Sequence, residues 1–441
     1  MDRGKASMRK LVVPFVVSLL LVAACKSTEA PSGSGAATPA TGGTAGTTEV
    51  VAVVDDRAPG VTGDTIKIGV TYPDFAALGD AVSINHGDYE AAYSAVIDDI
   101  NAKGGVAGRK LEAVFAPVDP SSATSTDETC TTLTQDEHVF IAMGLFYGEA
   151  VLCYVSVNET AVLGGEMTDD RLAQARAPWF AYDLSSDAQV DGVQELIDSG
   201  DLTGSVAVLL TDTDQAVYED RIKPVLDEAG IEVVETGVMS TALDPDQIPG
   251  ESRTMLQRFE ASNAETVLAL GQGTANIVAD GLAGSSYRPK LLFNSTNGVN
   301  AFTRDATRDA TVFDGAIGVG VFGPLDAIYD MGGATEECFE LQRAAGLTIN
   351  RPSTVAPGEP NQLVSSLAAC QQLALLTAIL EGAGEDLNYG TFTTAGHELG
   401  EIQLPGESEL FTYGPPPSAD GDRPLHRFVF DGATRVFVQA S

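Results

Sequence analysis

Positive charge is scarce in this chain. Twenty-five lysines and arginines stand against 62 acidic residues, a net charge of −37. Nucleic acids and anionic membrane faces attract basic patches, so neither is an expected partner. Histidine is thin as well. His86, His138, His397 and His426 are scattered, and none has a neighbour at metal-ligand spacing. No Gly-x-Ser-x-Gly elbow occurs, which removes the usual sign of a serine hydrolase. The twelve-residue calcium-loop pattern is missing too. Beyond residue 24 no apolar run approaches the roughly 20 residues that span a bilayer. With 44% apolar and 20% charged residues over 441 positions, what is left is a globular body with ample core, enough for two or three domains.

The N-terminus reads as a targeting segment. Arg3, Lys5, Arg9 and Lys10 precede a short apolar run from Leu11 to Ala24 that contains Pro14. The run has the length and flanks of a signal peptide and is too short for an anchor helix. "VAAC" then resembles a bacterial lipobox, in which the cysteine, here Cys25, receives a diacylglycerol and becomes the new N-terminus. An ordinary secretory signal cleaved near Ala24 is the plainer alternative. The following segment favours the lipobox: 21 of the 23 residues 26–48 are Gly, Ala, Ser, Thr or Pro, a composition that cannot bury enough surface to fold. It reads as a tether to a body beginning near Asp64, and some 36 such residues reach roughly 30–35 Å.

Four cysteines remain: Cys130, Cys153, Cys338 and Cys370. An even set in an exported protein favours disulfides, and four allow three pairings. Cys130–Cys153 and Cys338–Cys370 are expected, because each pair lies within one helix–strand neighbourhood. Each bridge would contribute about 3 kcal/mol through loop closure.

From Asp64 onward β-rich runs alternate with helical patterns, the signature of a parallel α/β sheet. "TIKIGVTY" (65–72), "KLEAVFAP" (110–117), "VFIAMG" (139–144) and "AVLGG" (161–165) are expected strands. A helix over 88–105 and another over 121–135, capped by Asp119 or Ser121, lie between them. A second series follows: strands at 205–210, 231–238, 265–270 and 289–294, and helices at 188–199, 214–229, 252–262 and 274–283. Two series imply two sheets and two lobes. Helices near 334–346 and 361–383 come next, and 425–439 reads as a hairpin around Asp431–Gly432. "GVGVFG" (318–323) matches Gly-x-Gly-x-x-Gly, but Pro324 follows and no helix is expected to open there, so a dinucleotide site is rejected. "NET" (158–160) and "NST" (294–296) match the glycosylation sequon, which carries little weight in a bacterial lipoprotein.

"INAKGGVAGRKLEAVF" (100–115) resembles the type I periplasmic binding proteins of the branched-chain amino-acid group, whose first lobe carries Asn-Ala-x-Gly-Gly-x-x-Gly-Arg-x between helix and strand. "IKIGV", "SSDAQVDGVQELI" (185–197) and "YEDRIKPVLDEAGIEVV" (218–234) extend the resemblance over residues 64–441. It implies an α/β two-lobed clamshell, each lobe a mainly parallel sheet flanked by helices, joined by three hinge crossovers near 179–184, 316–323 and within 395–405. The implied organisation is a signal peptide over 1–24, lipidated Cys25 and linker over 25–63, lobe I over 64–181 plus 320–398, and lobe II over 182–319 plus 399–441.

The resemblance also implies a ligand set in the cleft: Tyr72, Phe75, Phe146, Tyr147, Glu166, Thr168, Tyr218, Gln272 and Asn297. Tyr72 and Phe75 follow the first strand, where the family often places an aromatic. Relatives hold the ligand carboxylate with a serine after the third strand; "GLFYGEA" (144–150) has Phe146 and Tyr147 instead. "GGEMTDD" (164–170) keeps a threonine, Thr168, and puts Glu166 near the family's alanine. Tyr218 matches a cleft tyrosine, and Asn297 stands where relatives place the acid that balances a ligand ammonium. Glu166 could supply that charge, or the ligand is neutral or aromatic. Phe146, Tyr147 and Tyr218 also have a plain reading as packing residues.

The implied function is a lipid-anchored solute-binding protein of an ABC importer, not an enzyme. It would be an extracytoplasmic monomer without cofactor that delivers an amino acid, or a related amide or aromatic acid, to a permease with its ATPase subunits. Lipid would be its one link to the membrane. A ligand-sensing receptor of the same fold is the alternative, and a hydrolase the third possibility. No role is assigned to 347–362.

Overall fold

The β-branched runs and the helical stretches between them fold into two sheets of one design. The computed structural model describes residues 55–440 apart from 76–84, 120–121, 147–148, 166, 182–185, 242, 244–245, 272, 304–308, 321–324, 357–358, 414–420 and 423–424. The signal segment, Cys25 and most of the tether therefore lie outside the described residues.

The first sheet consists of β1 (Thr65–Pro73), β2 (Lys110–Val118), β3 (Ile141–Gly144), β4 (Ala161–Leu163) and β5 (Trp179–Phe180). All are parallel, in the order β2-β1-β3-β4-β5. Ile66, Ile68 and Val70 of β1 have no exposed surface. A strand covered on both faces needs a near-continuous apolar run, and β1 has one. The "NAKGG" segment joins helix Tyr89–Ala102 to β2. Asp88 caps the helix by accepting from the Ala91 amide at 2.9 Å. Gly105 takes φ +78°, and a Cβ there would stand 2.0 Å from the Arg109 carbonyl oxygen, so the turn admits only glycine. The Asn101 side chain clips helix to strand, accepting from the Leu111 amide and donating to its carbonyl at 2.8 and 2.9 Å.

The second sheet holds β6 (Ser205–Thr211), β7 (Glu232–Met239), β8 (Thr266–Ala269), β9 (Lys290–Phe293) and β10 (Ile317–Gly320) in the parallel order β7-β6-β8-β9-β10, the first sheet's order repeated. Three short strands follow: β11 (Ile402–Gln403), β12 (Leu410–Tyr413) and β13 (Gly421–Asp422), a small antiparallel sheet. The expected C-terminal hairpin, β14 (His426–Asp431) and β15 (Val436–Gln439), extends the second sheet beyond β10, antiparallel to it. Asp431 closes the hairpin turn by accepting from the Ala433 amide and the Thr434 hydroxyl, both at 2.8 Å. The molecule is two-lobed, each lobe an α/β layer around one sheet.

Several expectations need correction. The body begins before Asp64: the Tyr389 and Gly390 amides donate to the carbonyls of Arg57 and Asp55 at 2.9 and 2.7 Å. The third crossing comes later than 395–405, because Leu404, Phe411 and Tyr413 pack into the first lobe's core; the chain joins the second sheet only at β14. A helix does open after Pro324, Leu325–Tyr329, although it has only five residues. Ser121 is outside the described residues; Ser122 caps the helix that starts at Ala123, accepting from the Ser125 amide at 3.2 Å. Finally, helix Gln362–Ala383 is long and apolar enough to cross a membrane. Its polar interruptions hide it from a search for apolar runs, and it is buried in the first lobe. Its Gln372 accepts from the Tyr93 hydroxyl at 2.7 Å.

The sulfurs of Cys130 and Cys153 lie at bonding distance with Cα atoms 6.3 Å apart, and those of Cys338 and Cys370 likewise with 6.1 Å. Both spacings suit a disulfide.

Candidate ligand-binding site

In an open parallel sheet, loops leave the carboxyl ends of neighbouring strands in opposite directions where the strand order reverses, and the crevice opened there receives ligands. The reversal falls between β1 and β3 in the first lobe and between β6 and β8 in the second. The side chains at those two edges define the candidate site.

At the first edge four rings gather. Tyr72, near the end of β1, stacks on Tyr89 with centroids 5.6 Å apart, and its hydroxyl donates to Glu90 Oε1 at 2.5 Å. Burial first, then the neighbouring Glu90 carboxylate, push the Tyr72 hydroxyl far above the usual phenol range. Phe75 meets His86 edge-on at 4.7 Å, and His86 Nδ1 lies 2.8 Å from the Tyr89 hydroxyl. All four residues are partly buried. Tyr72 and Phe75 are linked through Tyr89 and His86; those two and Glu90 had given no sign of their own in the sequence.

The other first-lobe candidates separate. Phe146 is 7% exposed and lies edge-on to buried Tyr154 at 5.1 Å, a packing position. Thr168 Oγ1 accepts from the Arg171 amide at 3.2 Å and so starts the short helix Asp169–Leu172. Arg171 in turn pairs with Glu149 of the loop after β3 at 2.8 Å. Tyr147 and Glu166 lie outside the described residues.

At the second edge the chemistry is acidic and hydroxylic. Asp214, in the turn after β6, accepts from the Thr211 hydroxyl at 2.7 Å and is hydrogen-bonded by Gln189. Its carboxylate lies over Gly271, just past β8, where a Cβ would come within 2.5 Å of Asp214 Oδ2. Gly271 has φ +75°, and its amide donates to Asn294 Oδ1 at 3.0 Å. Half-burial raises the Asp214 carboxyl above the ordinary range, against the lowering effect of the hydrogen bonds. Among the described residues no cation is paired with it. Asp212, two residues earlier, goes the other way: it is exposed, and donation by Thr241 and Ser240 holds its carboxyl down.

Tyr218 is 5% exposed in the second lobe's core, its hydroxyl 3.4 Å from Thr236 Oγ1, a position that leaves little of it for a ligand. Asn297 opens helix Asn297–Thr303 beside the carboxyl end of β9. Gln272 is outside the described residues. Both sequons are engaged in the fold: Asn158 Nδ2 donates to the Cys153 carbonyl at 2.9 Å, and Asn294 is 4% exposed.

Residues 65–286 match the profile of the periplasmic binding protein family. The chain belongs to that family, whose members are extracytoplasmic solute-binding proteins and not enzymes. Among solved structures it resembles an ABC transporter substrate-binding protein from Desulfitobacterium hafniense in complex with Leu, with TM-score 0.59, 16% identity, and 86% of this chain and 100% of that one covered. It also resembles a solute-binding protein of an ABC transporter from Rhodopseudomonas palustris HaA2 in complex with p-hydroxybenzoic acid, with TM-score 0.63, 15% identity and coverage of 86% and 96%. A fatty acid ABC transporter substrate-binding protein from Thermomonospora curvata gives TM-score 0.60, 16% identity and coverage of 88% and 94%. At such identities the likeness speaks for the fold alone. No curated protein sequence matches the chain significantly.

Proposed function

We propose that this protein is the lipid-anchored solute-binding component of an ABC importer. It captures an amino acid, or a related amide or aromatic acid, between its lobes and presents it to a permease. The observation that carries this reading is the chemistry at the two strand edges where the sheet orders reverse. One offers partly buried rings (Tyr72, Phe75, His86, Tyr89), and the other a half-buried carboxylate, Asp214, held by neutral donors. Rings grip the apolar part of a small ligand, and a partly desolvated acid without a cation gains most from a ligand ammonium. Ligand binding shifts an open–closed equilibrium, with the chain crossings after β5, after β10 and before β14 serving as hinges. Cys25 takes the lipid, the following tether reaches the body, and the two cysteine pairs form disulfides in the oxidising compartment.

A thermal-shift screen with amino acids, amides and aromatic acids tests the reading. A ligand at 100 times its dissociation constant adds about 2.7 kcal/mol. Asp214→Asn is expected to abolish the shift caused by leucine and to spare that caused by 4-hydroxybenzoate. It should also raise the ligand-free melting temperature slightly, because a raised carboxyl destabilises the fold increasingly as pH climbs above its unfolded value, and the amide does not ionise. A screen without any shift ends the solute-binding reading. Fatty-acid labelling of wild type and Cys25→Ser tests the anchor; equal labelling of both refutes it.

A further inference from the structure

The turn that brings His86 to the aromatic edge is held from far along the chain. The Asn85 carbonyl accepts from the Asn361 amide at 2.8 Å, and the His86 carbonyl from the Ser365 amide at 3.4 Å. The Gln362 side chain takes both backbone groups of Asp88. Its Oε1 accepts from the amide at 2.9 Å, and its Nε2 donates to the carbonyl at 3.2 Å. Nε2 also donates to Ser365 Oγ at 2.8 Å. A side-chain amide can offer an acceptor and a donor to one residue, which a carboxylate or an alkyl chain cannot. Gln362 is 8% exposed, so removing its amide would leave buried backbone groups unpaired. The approach is close: a Cβ on Gly87 would stand 2.3 Å from Gln362 Oε1 and 2.8 Å from its Cα. His86 and Tyr89 flank this contact, whereas Tyr72 lies on β1 and Phe75 just beyond it. The spacing of the four rings is thus set by residues 274 positions apart.

We propose that Gln362 is a positioning residue for ligand selectivity: it sets His86 and Tyr89 against Phe75 and Tyr72 so that this edge prefers an aromatic ligand. Ring pairs gain most when their centroids lie roughly 4.5–7 Å apart, and the two pairs here stand at 4.7 and 5.6 Å. A turn released from Gln362 loses that spacing. The segment 347–362, which had no role in the sequence, ends on Asn361 and Gln362 and so delivers the contact. The inference rests on the solute-binding reading and adds to it a preference and the residue that sets it.

Isothermal titration of the full-length protein with two pairs of compounds tests it: phenylalanine with leucine, and benzoate with cyclohexanecarboxylate. Wild type should prefer the aromatic member of at least one pair. Gln362→Leu should cut that preference about 3- to 10-fold. Gln362→Glu, which keeps the acceptor for the Asp88 amide, should retain part of it. Gly87→Ala should cut it as well, by pushing the turn away from the other side. In ligand-free protein the His86 ring resonance should move in Gln362→Leu, while those of His138, His397 and His426 stay. A role in stability alone would lower the melting temperature and move neither readout. No aromatic preference in a wild type that binds these compounds, or an unchanged preference or His86 signal in Gln362→Leu, overturns the inference and leaves solute binding intact. If neither these four compounds nor the wider screen binds, both fall.

Discussion

The first lobe is assembled from distant parts of the chain, and the second almost from one stretch. β1–β5 come from residues 65–180, but three of the helices packed with them, Ala334–Ala344, Gln362–Ala383 and Tyr389–His397, arrive after the whole parallel part of the second sheet has been laid down. The second lobe runs from helix Ser186–Asp198 to β10 and adds only the terminal hairpin. All four body cysteines are in the first lobe. The sulfurs of Cys338 and Cys370 meet at bonding distance between two of the late helices, and those of Cys130 and Cys153 between the helices after β2 and β3. The second lobe has no cysteine and closes on rings: Phe313 lies within 5.2–6.0 Å, centroid to centroid, of Phe293, Phe302 and Phe430. With the same strand order, the discontinuous lobe alone carries paired cysteines, while both lobes pack rings in their cores.

That contrast can be broken deliberately. The largest effect should come from Phe313→Ala, which opens a cavity in a fully buried nest and should cost the second lobe about 3–5 kcal/mol. Lobe-resolved hydrogen exchange should show first-lobe protection nearly unchanged, and a uniform loss over both lobes would mean they do not have separate stabilities. Serines at Cys338 and Cys370 should weaken the first lobe by about 3 kcal/mol, read as a lower urea midpoint for its helices only. The smallest effect concerns His397, packed 5.2 Å from Phe180 in the first lobe, whose burial lowers its pKa. Stability from such a neutral histidine is complete above its unfolded value of about 6.5 and is lost as pH falls through the lower folded value. The first lobe's melting temperature should drop by roughly 1–2 °C in mild acid, and His397→Phe should remove the drop. A drop that persists in the variant would place its origin elsewhere.

Much of this architecture was legible in the residues. β-branched runs set the strands, and the "NAKGG" turn showed that a helix must stop and a strand begin. Helix Gln362–Ala383 was legible as a helix yet passed over as an apolar stretch, because Ser365, Ser366, Gln371 and Gln372 interrupt it; all four are buried, with Gln372 accepting from Tyr93 and Gln371 donating to Glu407. Helix Tyr389–His397 and the small β11–β13 sheet had no run long enough to stand out. The site was harder still. Tyr72 and Phe75 follow a recognisable strand, but Asp214 meets Gly271 across 57 residues and Arg171 meets Glu149 across 22. Such meetings depend on strand order, which local sequence does not encode. Tyr218 and Phe146 show the converse: aromatic residues in matching positions that the cores had already claimed.

The clasp at the start of the body has a mechanical consequence. Arg57 pairs with Asp55 and Glu159, donates to the Arg176 carbonyl at 2.9 Å and lies over the Tyr389 ring. Tyr389, for its part, is anchored beneath, donating to the Phe140 carbonyl at 3.0 Å. A pull on the chain upstream of Asp55 is thus shared among three separate pieces of the first lobe before it can peel any one of them. The first lobe takes the load first.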